Sequence, residues 1–230
     1  MTMSTVAPTH CFHAIIFDHD GTLVDSEYIH CQSWNKVLAL YGHSLKFEDY
    51  CAHYNGLPTQ ETATQLKQHY NLSESVDSLY QQKIDFLNYH LAEKPFPLLA
   101  QVKNTLLFLC KNNIPLAIAS GANQHEVSHS LQHHKIASFF KAVCTKNDVA
   151  NSKPAPDVYW LAAEKLNLAP EHCLAIEDSD TGYQSARRAG MHCLRLSATP
   201  SPEEFKDMKA ICEQLELWLL SGQLKKLLNT

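Results

Sequence analysis

Five short, almost wholly apolar runs recur along the 230-residue chain, each giving way at once to polar residues or a turn. They are His13-Ala14-Ile15-Ile16-Phe17, Pro115-Leu116-Ala117-Ile118-Ala119, Ala142-Val143-Cys144, Cys173-Leu174-Ala175-Ile176 and His192-Cys193-Leu194-Arg195-Leu196. A strand with one wet face alternates apolar and polar residues, so runs lacking that alternation suit strands covered on both faces of a parallel sheet. Helical periodicity fills the intervals 99–111, 124–133, 157–166 and 179–189. Strand and helix in alternation predict a doubly wound α/β fold with a parallel, Rossmann-like sheet. In such folds ligands gather beyond the C-terminal ends of the strands, where helix N-termini also point.

One interval breaks the alternation. From about 26 to 93 the periodicity is helical, as in Ile29, Trp34, Val37, Leu38 and Tyr41, with no strand signal. This predicts an inserted helical cap at 26–97 within a core formed by 1–25 and 98–230. Its hinges fall at 24–26 and at Lys94-Pro95-Phe96-Pro97, where two prolines exclude regular helix. A mobile lid is the expected behaviour. Pro200-Ser201-Pro202-Glu203-Glu204 reads as a linker before a final helix, whose Ile211, Leu215, Trp218 and Leu219 form a packing stripe.

Composition narrows the partners. The chain has 19 Lys plus Arg against 24 Asp plus Glu, a net charge of −5, which disfavours nucleic acid as a main partner. Lys225-Lys226 is too small a basic cluster to imply nucleic acid or a membrane. None of the eight cysteines forms a C-x-x-C pair, so buried free thiols are expected, Cys110 and Cys144 among them. The first residues lack a signal-peptide pattern and no run approaches a membrane span, so a cytoplasmic location is the expectation. A monomer is the default oligomeric state.

The chemistry-bearing residues cluster at strand ends. Asp18 and Asp20 follow the first run in Asp18-His19-Asp20-Gly21-Thr22. Alone, they could be solvated turn residues or a pair needing a cation. The second run ends in Ser120-Gly121-Ala122-Asn123, a hydroxyl and backbone N–H groups ahead of a helix, suited to an anion. Lys153 sits between prolines in Asn151-Ser152-Lys153-Pro154-Ala155-Pro156, and the fourth run ends in Glu177-Asp178-Ser179-Asp180-Thr181-Gly182.

These four motifs, in this order and at strand ends, resemble those of the haloacid dehalogenase superfamily over essentially the whole chain; Ala189-Gly190-Met191 fits the same pattern. The resemblance implies a phosphoryl-transfer enzyme. In it Asp18 is the nucleophile forming an aspartyl-phosphate, and Asp20 is first the acid for the leaving oxygen and then the base for water. Mg²⁺ is held by the Asp18 and Asp178 carboxylates and the Asp20 main-chain carbonyl, with Glu177 behind them acting through a bound water. Lys153, Ser120 and the Gly121 N–H bind the phosphoryl group. Asp20 stands where dehalogenases lack Asp, P-type ATPases have Thr and phosphonatases have Ala. That favours hydrolysis of a phosphomonoester, or a mutase, over those chemistries.

The helical cap resembles that of the subgroup containing β-phosphoglucomutase and phosphoglycolate phosphatase. His30 falls where the mutase has a His contacting the second Asp, Ser26 falls at the hinge, and Leu98 replaces a frequent Gly. Thr59, in Gly56-Leu57-Pro58-Thr59-Gln60, stands where the mutase carries an Arg for its second phosphate. A phosphatase acting on a small phosphorylated metabolite, such as a sugar phosphate or phosphoglycolate, is therefore preferred. A hexose-phosphate mutase is the first alternative and a non-catalytic regulator on the same fold the second. His30, His53, Asn55 and Thr59 are the cap candidates for substrate contact. His125, His129 and His133 share a helix face, which reads as a solvated face before a transition-metal site.

Overall fold

The computed structural model describes residues 11–197, 200 and 204–225. Six strands form one parallel sheet in the order β3-β2-β1-β4-β5-β6. They are β1 (Ala14–Phe17), β2 (Leu116–Ala119), β3 (Ala142–Cys144), β4 (Cys173–Glu177), β5 (His192–Leu196) and β6 (Glu204–Phe205). Helices α5 (Val102–Lys111), α6 (Gln124–His133), α7 (Asp157–Lys165), α8 (Asp180–Arg188) and α9 (Met208–Leu220) cover its two faces. The predicted doubly wound α/β fold is thus the observed one. The strand order reverses direction at β1 and β4, which makes their C-terminal edge the switch point where ligands bind in open α/β sheets.

The two faces of the sheet are built from differently sized side chains. One carries Ile15, Phe17, Leu116, Ile118, Leu174, Ile176, Leu194 and Leu196 against α5, α6 and α9. The other carries Ala14, Ile16, Ala117, Ala119, Ala142, Cys173, Ala175 and Cys193, against Val158, Tyr159 and Ala162 of α7 and Ala186 of α8. Small residues let α7 and α8 approach closely. That approach buries the Tyr159 ring beneath the sheet.

Between β1 and α5 lie four helices, α1 (Glu27–Ala39), α2 (Phe47–His53), α3 (Thr59–Tyr70) and α4 (Val76–Glu93). They enclose an apolar cluster of their own from Trp34, Val37, Leu38, Tyr50, Tyr54, Ala63, Leu66 and Leu79. Ile29, Leu87 and Leu91 of α1 and α4 instead join the larger cluster under the sheet. Two chain crossings link the helical layer to the core, where Val24 pairs with Leu98 and Asp25 N–H donates to the Pro97 carbonyl at 2.8 Å.

Two expectations need correction. Glu204, expected in the linker, instead forms an edge strand with Phe205, because the backbone of β5 pairs with both. The cysteines are free, as expected, but only Cys31, Cys144, Cys173 and Cys193 are buried. Cys110 is exposed because Thr105, Leu106 and Leu109 take the inward face of α5. Residues 201–203 and Lys226 lie outside the described residues. Among the described residues no helix is long and apolar enough to cross a membrane.

Candidate active site

The register of the sheet brings the motifs together. Phe17 is level with Ile118 on one side and Ile176 on the other, so Asp18, Ser120 and Glu177 emerge at the same edge. Beyond β1 the chain turns tightly: Gly21 N–H donates to the Val24 carbonyl at 2.8 Å. Gly21 has φ +72°, and a Cβ there would collide with the Asp178 carboxylate. The position therefore admits only glycine, and it lets two strand ends approach.

Lys153 holds the centre. Its buried Nζ lies 2.5 Å from Asp18 Oδ1 and 2.6 Å from Glu177 Oε1. Burial alone would lower the lysine pKa, but Asp18 and Glu177 outweigh it and raise it, so Lys153 stays an ammonium. Three carboxylates face this one cation, since ligand oxygens of Asp18, Glu177 and Asp178 all lie within 4.8 Å of one another. Asp18 is accordingly raised to about 7, first by burial and then by Glu177, despite Lys153. Asp178 is pushed well above the usual carboxylate range by burial and by Asp18 and Glu177.

Such an excess of hard oxygen donors fits a divalent cation such as Mg²⁺. Glu177 has little capacity left for one. Its Oε1 accepts from Lys153 and from Tyr159 at 2.8 Å, while its Oε2 accepts from Ser179 Oγ at 3.2 Å and Asp178 N–H at 3.2 Å. Asp18 and Asp178 remain the open donors; Thr22 Oγ1 donates to Asp178 Oδ1 at 3.3 Å.

The cleft above these groups measures about 320 Å³ and lies between core and cap. Asp18, Asp20, Gly121, Lys153 and Asp178 line its floor, while His30, Thr59 and Tyr50 line its cap side. The loop before α3 seals one edge, with Thr181 Oγ1 donating to the Gly56 carbonyl at 3.0 Å. Ser120 is buried behind Gly121, its Oγ accepting from Ala122 N–H at 3.0 Å. Asp20 sits between two imidazoles, His19 Nδ1 at 3.3 Å and His30 Nε2 at 3.8 Å. Burial would raise Asp20, but both histidines outweigh it and hold its carboxyl well below the usual range.

Not every cap candidate reaches the cleft. His53 and Asn55 are exposed and outside its lining, because Tyr50 and Tyr54 take the inward positions around the end of α2. Ser26 is buried at the start of α1. His125 and His133 lie exposed on α6 with His129 half-buried between them, and the only cluster of three or more candidate metal ligands among the described residues is the Asp18 group.

Lining residues that sequence reasoning missed include Glu27, Lys83, Glu126 and Lys146. Lys83 had a legible signal: it occupies the inward stripe of α4 with Leu79, Leu87 and Leu91, all four apart, where a fourth leucine would be expected. It is almost wholly buried, with Nζ 3.1 Å from His30 Nδ1. Glu126 likewise shares the inward face of α6 with Val127, Ser130 and Leu131. Lys146, in a 3₁₀ turn after β3, carried no such sign.

Sheet order, switch-point carboxylates and a buried lysine under a helical cover define a Rossmann-like hydrolase core with an inserted cap. The family model described as haloacid dehalogenase-like hydrolase matches residues 15–196, and the chain belongs to that family. It is similar to the fructose-1-phosphate phosphatase YqaB of Escherichia coli, 31% identical over 78% of this chain and 94% of that protein. It is also similar to a phosphorylated carbohydrates phosphatase of Thermotoga maritima, 29% identical over 77% of this chain and 82% of that one. Among solved structures, a HAD family hydrolase from Deinococcus radiodurans with bound phosphate and sodium superposes with a TM-score of 0.70 at 25% identity, covering 94% of this chain and 99% of that one.

Proposed function

We propose that this protein is a Mg²⁺-dependent phosphatase that hydrolyses a small phosphorylated metabolite, of sugar phosphate or phosphoglycolate type, through an aspartyl-phosphate on Asp18. The observation that carries this reading is the buried Lys153 ammonium bridging Asp18 and Glu177 at the switch point, with Asp178 beside them. Asp18, Asp178 and the Asp20 main-chain carbonyl would hold the metal, which when bound supplies the positive charge that lets an anionic nucleophile meet a phosphate dianion.

The side chains divide the remaining work. An Asp18 oxygen attacks phosphorus and the phosphorus–ester oxygen bond breaks, while Asp20 gives its proton to the departing alkoxide. Water then attacks the acyl phosphate and returns a proton to Asp20, releasing phosphate and free Asp18. Lys153, the Gly121 N–H and Ser120 neutralise and orient the phosphoryl oxygens. The cap excludes bulk water from these steps. The low Asp20 pKa leaves its carboxylate ionised at neutral pH, the form that accepts the proton in the second step; an approaching phosphate dianion favours its protonated form for the first. The names of the two relatives, a fructose-1-phosphate phosphatase and a phosphatase of phosphorylated carbohydrates, support a sugar phosphate as substrate.

A mutase is the second reading, favoured by Lys83 and Lys146, which bring two further ammonium groups into the cleft where Thr59 offers none. The deciding experiment assays a panel of phosphorylated metabolites after chelation and after Mg²⁺ return, following both phosphate release and isomer formation. Phosphate release that needs Mg²⁺ and vanishes in Asp18→Asn is expected. Mg²⁺ should also raise the Tm of the wild type and not of Asp178→Asn. Phosphate release by a clean Asp18→Asn preparation would sink the reading, and isomer without phosphate would establish the mutase.

A further inference from the structure

His19 stands between the two carboxylates of the first strand end, and the reaction described above gives its side chain no task. The ring is fully buried, and its Nδ1 lies 3.3 Å from Asp20 Oδ2. The second Asp20 oxygen, Oδ1, is buried, faces His30 Nε2 at 3.8 Å and has no hydrogen-bond partner among the described residues. Both imidazoles lean on Phe96, whose ring centroid is 6.5 Å from that of His19 and 5.3 Å from that of His30. Phe96 belongs to the second crossing between cap and core; it is fully buried, and its carbonyl is 2.7 Å from His134 Nε2.

A buried imidazole is costly as mere filling. His19 Nε2 has no hydrogen-bond partner among the described residues, and an unpaired buried polar atom costs about 1–3 kcal/mol that an apolar side chain would avoid. Its one side-chain hydrogen bond is to Asp20. A carboxyl group can carry its proton on either oxygen, and rotation about its last bond exchanges them. A fixed N–H donor on one oxygen removes that freedom and holds the carboxyl group in one orientation.

We infer that His19 is a positioning residue: its Nδ1–H holds Asp20 Oδ2 and so fixes the orientation in which the carboxyl group passes its proton to the leaving group. Phe96 braces His19 and His30 together, which ties the aim of Asp20 to the seating of the cap. The inference rests on the acid role of Asp20 proposed above, and the test separates the two.

The measurement is kcat/KM, which ends at cleavage of the ester bond, for two substrates in each preparation. One is dinitrophenyl phosphate, whose leaving group departs without a proton; the other is the sugar phosphate that the wild type turns over fastest, whose alkoxide needs one. In His19→Leu the ratio of sugar phosphate to dinitrophenyl phosphate should fall about 30-fold, within the range that misplacing a general acid produces. His19→Asn can offer an Nδ2–H to the same oxygen and should restore most of the ratio. Because both rates come from one preparation, partial folding cancels, and His19→Met reads the same ratio if the leucine variant does not accumulate. An equal loss on both substrates, or none, overturns the positioning role. Asp20→Asn serves as the reference: it should lose the sugar phosphate reaction and keep that of dinitrophenyl phosphate. Retained sugar phosphate turnover in Asp20→Asn would overturn the acid role itself, whereas a normal Asp20→Asn result beside an unchanged His19→Leu ratio overturns the His19 inference alone.

Discussion

Gly182→Ala sets local against tertiary physics. Gly182 is the third residue of α8, and helix propensity alone says that alanine there gains about 1 kcal/mol. The surroundings reverse that sign, since a Cβ on Gly182 would overlap the carboxylate of Glu177. That carboxylate is fully buried and cannot swing away freely, pinned by Lys153 at 2.6 Å, Tyr159 at 2.8 Å and Ser179 Oγ at 3.2 Å. Overpacking costs about 1–3 kcal/mol, and one lost hydrogen bond to a charged group about 1.5–3 kcal/mol. Mid-range values, less the helix gain, leave a net destabilisation of about 3 kcal/mol. For a chain of this length that lowers Tm by about 6–12 °C. Thermal and urea unfolding of the purified variant read it directly. In a Glu177→Ala background the overlap is gone, and the same substitution should turn neutral or stabilising. A Gly182→Ala protein with Tm at or above that of the wild type would refute the claim that the Glu177 network is rigid.

Two further expectations concern buried titratable groups. Burial outweighs the pull of Glu126 and lowers the Lys83 pKa from 10.5, so the unfolded chain holds that proton more tightly than the folded one. Lys83→Met should therefore raise Tm at neutral pH, by an advantage that shrinks as pH rises toward 10.5, while kcat/KM on the preferred substrate falls; an unchanged or lower Tm at pH 7 contradicts this. Burial pushes the thiols of Cys31 and Cys144 up to about 11 and that of Cys173 up to about 12, whereas Cys51 and Cys110 are exposed. A thiol reagent at pH 8 should label Cys51 and Cys110 first and leave Cys31, Cys144, Cys173 and Cys193 until unfolding; mass-spectrometric detection of any of those four in the folded protein would count against the packing described.

Much of this architecture was legible because its signals are local. Unbroken apolar runs marked five of the six strands, since a strand covered on both faces has no polar side to reveal. The sixth, Glu204–Phe205, is two residues long and is a strand only because β5 offers it partners. Asp18, Asp20, Ser120, Lys153 and Asp178 could be singled out because each follows a strand or sits in a proline-restricted loop, and parallel strands put such ends on one edge. His53 and Asn55 were singled out on polarity and motif position, which cannot say which side of a short helix faces inward. Lys83 and Glu126 were overlooked although each breaks an apolar stripe.

The sequence by itself determined the layer order, the helical insertion and the edge on which the acids meet, for these follow from periodicity and from the fixed direction of a parallel sheet. Only the tertiary structure decided how the charges balance. That Lys153 faces Asp18 and Glu177 together, that Glu177 is occupied while Asp178 is open, and that His19 turns to Asp20 depend on distances between segments far apart in the chain. Electrostatic interaction falls with separation and strengthens with burial, and neither quantity exists until the strands are in register.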